Sequence, residues 1–173
     1  MKVIIHHSAS GFGNAALIDH WHRERGWSGI GYHGVILNGW LTSKLYNRHF
    51  DGIIESGRPF DDDNLIDPWE TGAHTRGKNH KIGVCMIGNN GQFTDKQLKS
   101  LRKWGRWMTE IFGSVEFSQH SDHDPGKPLC AGLQQNYITR LNEAIADTAR
   151  FVNWVERNEY IPNALKHLIK CDT

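Results

Sequence analysis

KIGVCMIG, residues 81–88, is a short apolar run closed at both ends by turn-forming residues. With no alternating polar face, it reads as a strand buried on both sides in the middle of a sheet. Such a strand needs helices on the faces of its sheet, so this stretch points to an α/β fold. Upstream, KVII (2–5) predicts a first strand. Asn14 is placed to cap a helix over 15–25, with Leu17, Ile18 and Trp21 on one face and Gly26 just past its end. GYHGVIL (31–37) predicts a strand that ends at an Asn38-Gly39 turn. Asp51-Gly52 predicts a hairpin turn leading into the strand IIES (53–56). Residues 57–72 read as a long polar loop.

Downstream, Thr94 to Gln97 forms a capping box. It opens a helix with Leu98, Leu101, Trp104, Met108, Ile111 and Phe112 at spacings of three and four. VEFSQH (115–120) is a short strand, followed by a loop and a second helix carrying Ile138, Leu141, Ile145, Thr148, Val152 and Val155 on one face. Pro162 breaks the chain before a short tail helix. A hairpin joins antiparallel strands, so the sheet is expected to be mixed. The expected architecture is a single α/β domain, a central mixed β-sheet flanked by helices. Its functional part spans 1–135, and 136–173 is a helical extension packed on it, with Phe151, Trp154 and Val155 facing the core.

The 173 residues suit one domain. A formal net charge of +1 gives no global field that calls for nucleic acid or an anionic membrane. No apolar run approaches the roughly 20 residues of a membrane span. MKVIIHHSAS is too short in its apolar part for a secretory signal, so synthesis in the cytoplasm is the expectation. Three cysteines, an odd number, argue against a disulfide framework. Seven tryptophans supply core volume or flat platforms for sugar rings.

The loop HSDHDPGKPLC (120–130) concentrates ligand-type side chains, and Pro125 and Pro128 keep it from being a regular helix. Zinc favours histidine nitrogen and cysteine thiolate, and a catalytic site keeps its fourth position open. The loop offers His120, His123 and Cys130. The first strand ends in His6 and His7, and alternation along a strand lets only one of them face the loop. One N-terminal histidine with His120 and Cys130 is a chemically sensible zinc site. The plain alternative is a set of surface histidines near a turn, with Cys130 buried.

HHSAS, WHRERGWSGIGYHGVILNG, DGIIESGRP, GAHTRGKNHKIGVCMIG, FTDKQLKSL and HSDHDPGKPLCAG follow one another over residues 2–135. In this order they resemble the type-2 N-acetylmuramoyl-L-alanine amidases, the family that includes peptidoglycan recognition proteins and phage lysozyme-amidases. The resemblance implies a zinc-dependent amidase cleaving the amide between the lactyl group of N-acetylmuramic acid and L-alanine in peptidoglycan. It implies His6, His120 and Cys130 as zinc ligands at the sheet edge in a groove, with His7 turned into the fold. It implies Tyr32 as a donor beside the metal, and His74, Asn79 and Arg58 as substrate-binding residues. His22 is expected to pack or hydrogen-bond behind the site, and His123 to face solvent. Members with a glutamate in the central strand carry it where Cys85 stands here, so this chain groups with the tyrosine-type members.

Two departures stand out. The family lysine lies two residues before the third ligand, whereas Lys127 lies three before Cys130. Either the loop bulges to bring Lys127 to the leaving amine or that role is absent. Residues 40–50 and 59–69 look like insertions. The resemblance fits a phage or prophage endolysin acting as a monomer on the cell wall after release. The alternatives are a non-catalytic peptidoglycan-binding module, a cytoplasmic muropeptide-recycling amidase, and a Cys130 thiol hydrolase that chelators leave active.

Overall fold

In a computed structural model, the described residues are 1–61, 63 and 65–157, the side chains of 149–157 excepted. The expected tail helix, Cys171 and the packing of Phe151, Val152, Trp154 and Val155 lie outside what is described. The order is β1 (Lys2–His7), α1 (Ala15–Glu24), β2 (Gly34–Thr42), β3 (Leu45–Ser56), β4 (Ile82–Met86), α2 (Asp95–Phe112), β5 (Glu116–Gln119), a 3-10 turn (His120–Asp122) and α3 (Gln135–Arg157).

The five strands form one sheet in the order β3-β2-β4-β1-β5. β4 is the middle strand, parallel to β1 and β2, and all its residues are buried. β1 also pairs in parallel with β5, and only β2–β3 is antiparallel, so the sheet is mixed as expected. Its two faces bury separate sets of side chains. Val3, Ile5, Ile36, Val84, Met86 and Phe117 meet Leu101, Trp104 and Met108 of α2 and Ile138, Leu141 and Ile145 of α3. On the other face Ile18 of α1 packs with Val35, Leu37, Cys85 and Ile87. Both predicted caps form: Leu17 N–H donates to Asn14 Oδ1, and Thr94 and Gln97 exchange reciprocal bonds. The exposed edge of β5 is closed by Asn142 of α3, whose side chain bonds both the N–H and the C=O of Phe117.

The antiparallel pair departs from the sequence reading in where it turns. The turn is Ser43-Lys44, between the paired residues Thr42 and Leu45, and the Thr42 hydroxyl accepts the N–H of both Lys44 and Leu45. Asn38-Gly39 and Asp51-Gly52 are not turns. They lie within β2 and β3 at a register irregularity, Asn38 opposite Asp51, with Gly39 and Gly52 both at φ +86°. Gly52 is also where α2 crosses β3: Ser100 Oγ donates to its carbonyl, and a Cβ there would lie 3.0 Å from Cβ of Lys96. The Asp-Gly pair serves a bulge and a helix crossing. β2 also starts at Gly34 rather than 31. Gly31 and Tyr32 are claimed by loops instead: Ala73 N–H bonds Gly31 O and Arg58 N–H bonds Tyr32 O, while His33 N–H bonds Gly83 O of β4.

Candidate metal centre

The carboxyl ends of parallel strands are where α/β sheets expose side chains to ligands. β1 and β5 end side by side, with Ile5 paired to Gln119, so His6 at the end of β1 meets His120 directly after β5. A chain reversal then returns Cys130: Ser121 N–H donates to the Cys130 carbonyl at 2.6 Å. His6, His120 and Cys130 are all buried, and one ligand atom from each lies within 4.8 Å of the others. His6 and His120 ring centroids are 4.5 Å apart, and His6 Nδ1 is 3.8 Å from Cys130 Sγ. Tetrahedral zinc, with bonds of about 2.1 Å to nitrogen and 2.3 Å to sulfur, holds such atoms about 3.6 Å apart. This donor set fits zinc.

Burial holds His6 well below the ordinary imidazole range, with the neighbouring histidines adding to it. Burial likewise lowers His120, opposed by Asp124, whose carboxylate lies 3.7 Å from His120 Nε2. Both histidines are therefore neutral and able to ligate at neutral pH. Burial raises the Cys130 thiol, partly offset by the hydrogen bond from the His7 N–H at 3.5 Å and by the charge of Lys127.

Tyr32 packs against His6 with centroids 5.1 Å apart. Its residue surface is partly exposed but its hydroxyl end is enclosed, and burial pushes the phenol well above its ordinary value. It stays protonated and is a hydrogen-bond donor. Cys85 faces His6 across the β1–β4 register, and burial raises its thiol too, so no charged base occupies that position.

Lys127 is exposed, at the first position of a turn closed by the Cys130 N–H on the Lys127 carbonyl at 3.1 Å. That turn spans the two residues between Lys127 and Cys130, and the lysine charge acts on His7, His120 and Cys130.

The segment expected to bind substrate is largely committed to the protein itself. His74 is buried behind His6, its Nδ1 3.0 Å from His6 Nε2 and its Nε2 2.9 Å from the Lys81 carbonyl. Asn79 Oδ1 accepts the N–H of His74 and of Thr75, holding their turn. Arg58 Nε donates to Ile30 O, so this side chain and its backbone clamp the loop carrying Tyr32. His22 is buried, accepts from Gly31 N–H and lies between Trp27 and Tyr32, tilted against both rings. His123 bonds Ser118 through Nε2 at 2.8 Å and is half-buried rather than turned to solvent. His7 is half-buried, not turned into the fold, and its Nδ1 accepts from Ala9 N–H. The support His74 gives to His6 was missed from sequence. Its one trace there is the glycines at 72 and 83, which leave room for the ring.

The chain is 34% identical to an endolysin of Enterobacteria phage T3 over 137 residues, 74% of this chain and 76% of that protein. The chain belongs to the type-2 N-acetylmuramoyl-L-alanine amidase family. An endolysin of Klebsiella phage KP32 is 31% identical over 136 residues, again 74% of this chain and 76% of that protein. The N-acetylmuramoyl-L-alanine amidase LysC from Clostridium intestinale URNW shares the fold with a TM-score of 0.62 and 26% identity, covering 80% of this chain and 82% of that one. No family model matches the chain. The amidase has no helix among its described residues long and apolar enough to cross a membrane.

Proposed function

We propose that this amidase is a zinc-dependent endolysin that hydrolyses the amide between the lactyl group of N-acetylmuramic acid and L-alanine in peptidoglycan. The observation that supports it is the convergence of the His6, His120 and Cys130 ligand atoms within 4.8 Å. Zinc held by these three residues would supply a Lewis acid for the scissile carbonyl and lower the pKa of water towards about 7.

The chain's own groups then divide the work. Tyr32, beside His6, keeps its proton and would donate it in a hydrogen bond to the carbonyl oxygen as negative charge develops there, in place of its contact with Cys85. Lys127, on the turn leading to Cys130, delivers a proton to the departing L-alanine amine. Arg58 and Asn79 hold the loops that carry Tyr32 and His74, and their remaining donors are assigned to the stem peptide. A thiol mechanism through Cys130 is disfavoured, because burial raises its pKa. All three ligands come from one chain, which supports a monomer as the working unit. The enzyme reaches the wall after release from the cell that makes it.

The test is mass spectrometry of purified peptidoglycan after incubation with the protein, with and without EDTA. Stem peptides with a free L-alanine amine, formed only without chelator, are expected. Turnover of soluble muropeptides but not of intact wall would replace the endolysin with a recycling amidase. EDTA-resistant cleavage would remove the metal.

A further inference from the structure

His6 has two ring nitrogens, and only one can ligate a metal. We propose that His74 is a positioning residue that fixes the tautomer of His6, so that Nδ1 is the ligand atom. This rests on the zinc reading above. The chain of bonds begins at a group that can only accept, the Lys81 carbonyl. His74 Nε2 lies 2.9 Å from it, so the His74 proton sits on Nε2. In the neutral ring Nδ1 is then an acceptor, and it faces His6 Nε2 at 3.0 Å. His6 Nε2 therefore carries hydrogen, and its Nδ1 lone pair is left facing Cys130 Sγ at 3.8 Å. Thr75 Oγ1, 3.0 Å from His74 Nδ1 and 3.3 Å from His6 Nε2, can give its proton to the first and share the hydrogen of the second.

The ring of His74 has a built seat. A Cβ at Gly83 would lie 2.6 Å from its Cγ and Cδ2, and one at Gly72 would lie 2.7 Å from Cδ2. Gly83 pairs with Ile4 and Cys85 with His6, so the seat is two residues before the ligand on the same sheet face. Either glycine replaced by alanine would push the ring out of line. Metal-bound histidines are commonly backed by a carboxylate, a backbone carbonyl or water. An intervening neutral imidazole adds no negative charge behind His6. Cys130 then supplies the one anionic ligand among the three, leaving the metal a stronger electrophile.

Nitrogen-15 NMR of the histidine rings in metal-free protein tests the tautomer with no variant at all. A protonated Nε2 and an unprotonated Nδ1 on His6 are expected, and the reverse assignment overturns the proposal. Zinc affinity by chelator competition is the second readout. His74→Phe, which keeps the ring volume, and Gly83→Ala are each expected to weaken zinc binding about 10- to 100-fold. His74→Gln, whose amide can accept from His6 and donate to Lys81, is expected to restore part of the loss. Affinity in His74→Phe equal to wild type overturns the proposal. Wild-type protein that binds no zinc sinks the metal reading instead, while the NMR result still decides the tautomer.

Discussion

Tyr32 stands beside His6 with its proton retained, and that fixes what its loss should do. Tyr32→Phe keeps the ring against His6 and removes only the donor. The expected result is a fall in kcat of about 100- to 1000-fold with zinc content unchanged, measured by turnover and metal analysis on the same sample. An equal fall in metal content would make Tyr32 a packing residue. His33 carries a different prediction. Burial pushes it down to about 4 from 6.5, while its Nδ1 accepts from Gly83 N–H and its Nε2 bonds the Glu70 carbonyl. The unfolded chain therefore takes up this proton first. Stability should be full above about pH 6.5 and fall, by up to roughly 3 kcal/mol, as pH drops towards 4. Urea titrations of metal-free protein at pH 7 and pH 4.5 measure it, and His33→Asn should shrink the difference. The convergence of His6, His120 and Cys130 was legible at this scale because ligand-type residues cluster in 120–130 and an ordered set of motifs supplied His6. His74 was not, because the direction of a ring depends on the glycines beneath it and on a carbonyl seven residues away.

Among the elements, α2 shows how tightly the core closes. Gly105 lies where this helix crosses β5 and α3: an added Cβ would sit 2.7 Å from Phe117 Cε2 and 3.0 Å from Ile145 Cδ1. Alanine gains about 1 kcal/mol in helix propensity, against about 1–3 kcal/mol for overpacking. Gly105→Ala is therefore expected to lower the urea midpoint, and a raised midpoint would mean that Phe117 has room to yield. The same tightness explains what was readable here. The buried strand at 82–86 and the capped helices declared themselves by apolar runs, spacing and caps. The β2–β3 turn did not. Asp51-Gly52 looks like a hairpin locally, yet Gly52 answers to α2 above it, and the true turn uses a threonine hydroxyl that carries little sequence signal.

Across the whole molecule, the candidate centre joins the end of β1 to the segment after β5, so a metal bound there would be linked to folding. Zinc present at 1000 times its Kd would add about 4 kcal/mol to the folded state, roughly 10 °C in Tm for a chain of this size. Calorimetry with and without EDTA should show that shift, and none in His120→Ala. The mixed sheet could be expected from sequence, but its strand order could not. Only tertiary pairing brings β5 beside β1, and that adjacency is what makes two distant motifs one site. The arrangement also has a meaning in time. His6 and Cys130 are 124 positions apart. At roughly 5–20 residues per second, a ribosome adds the cysteine about 6 to 25 s after the histidine. Every nascent chain shorter than that lacks the full candidate set, so on the zinc reading proposed above a partly finished copy would not cut.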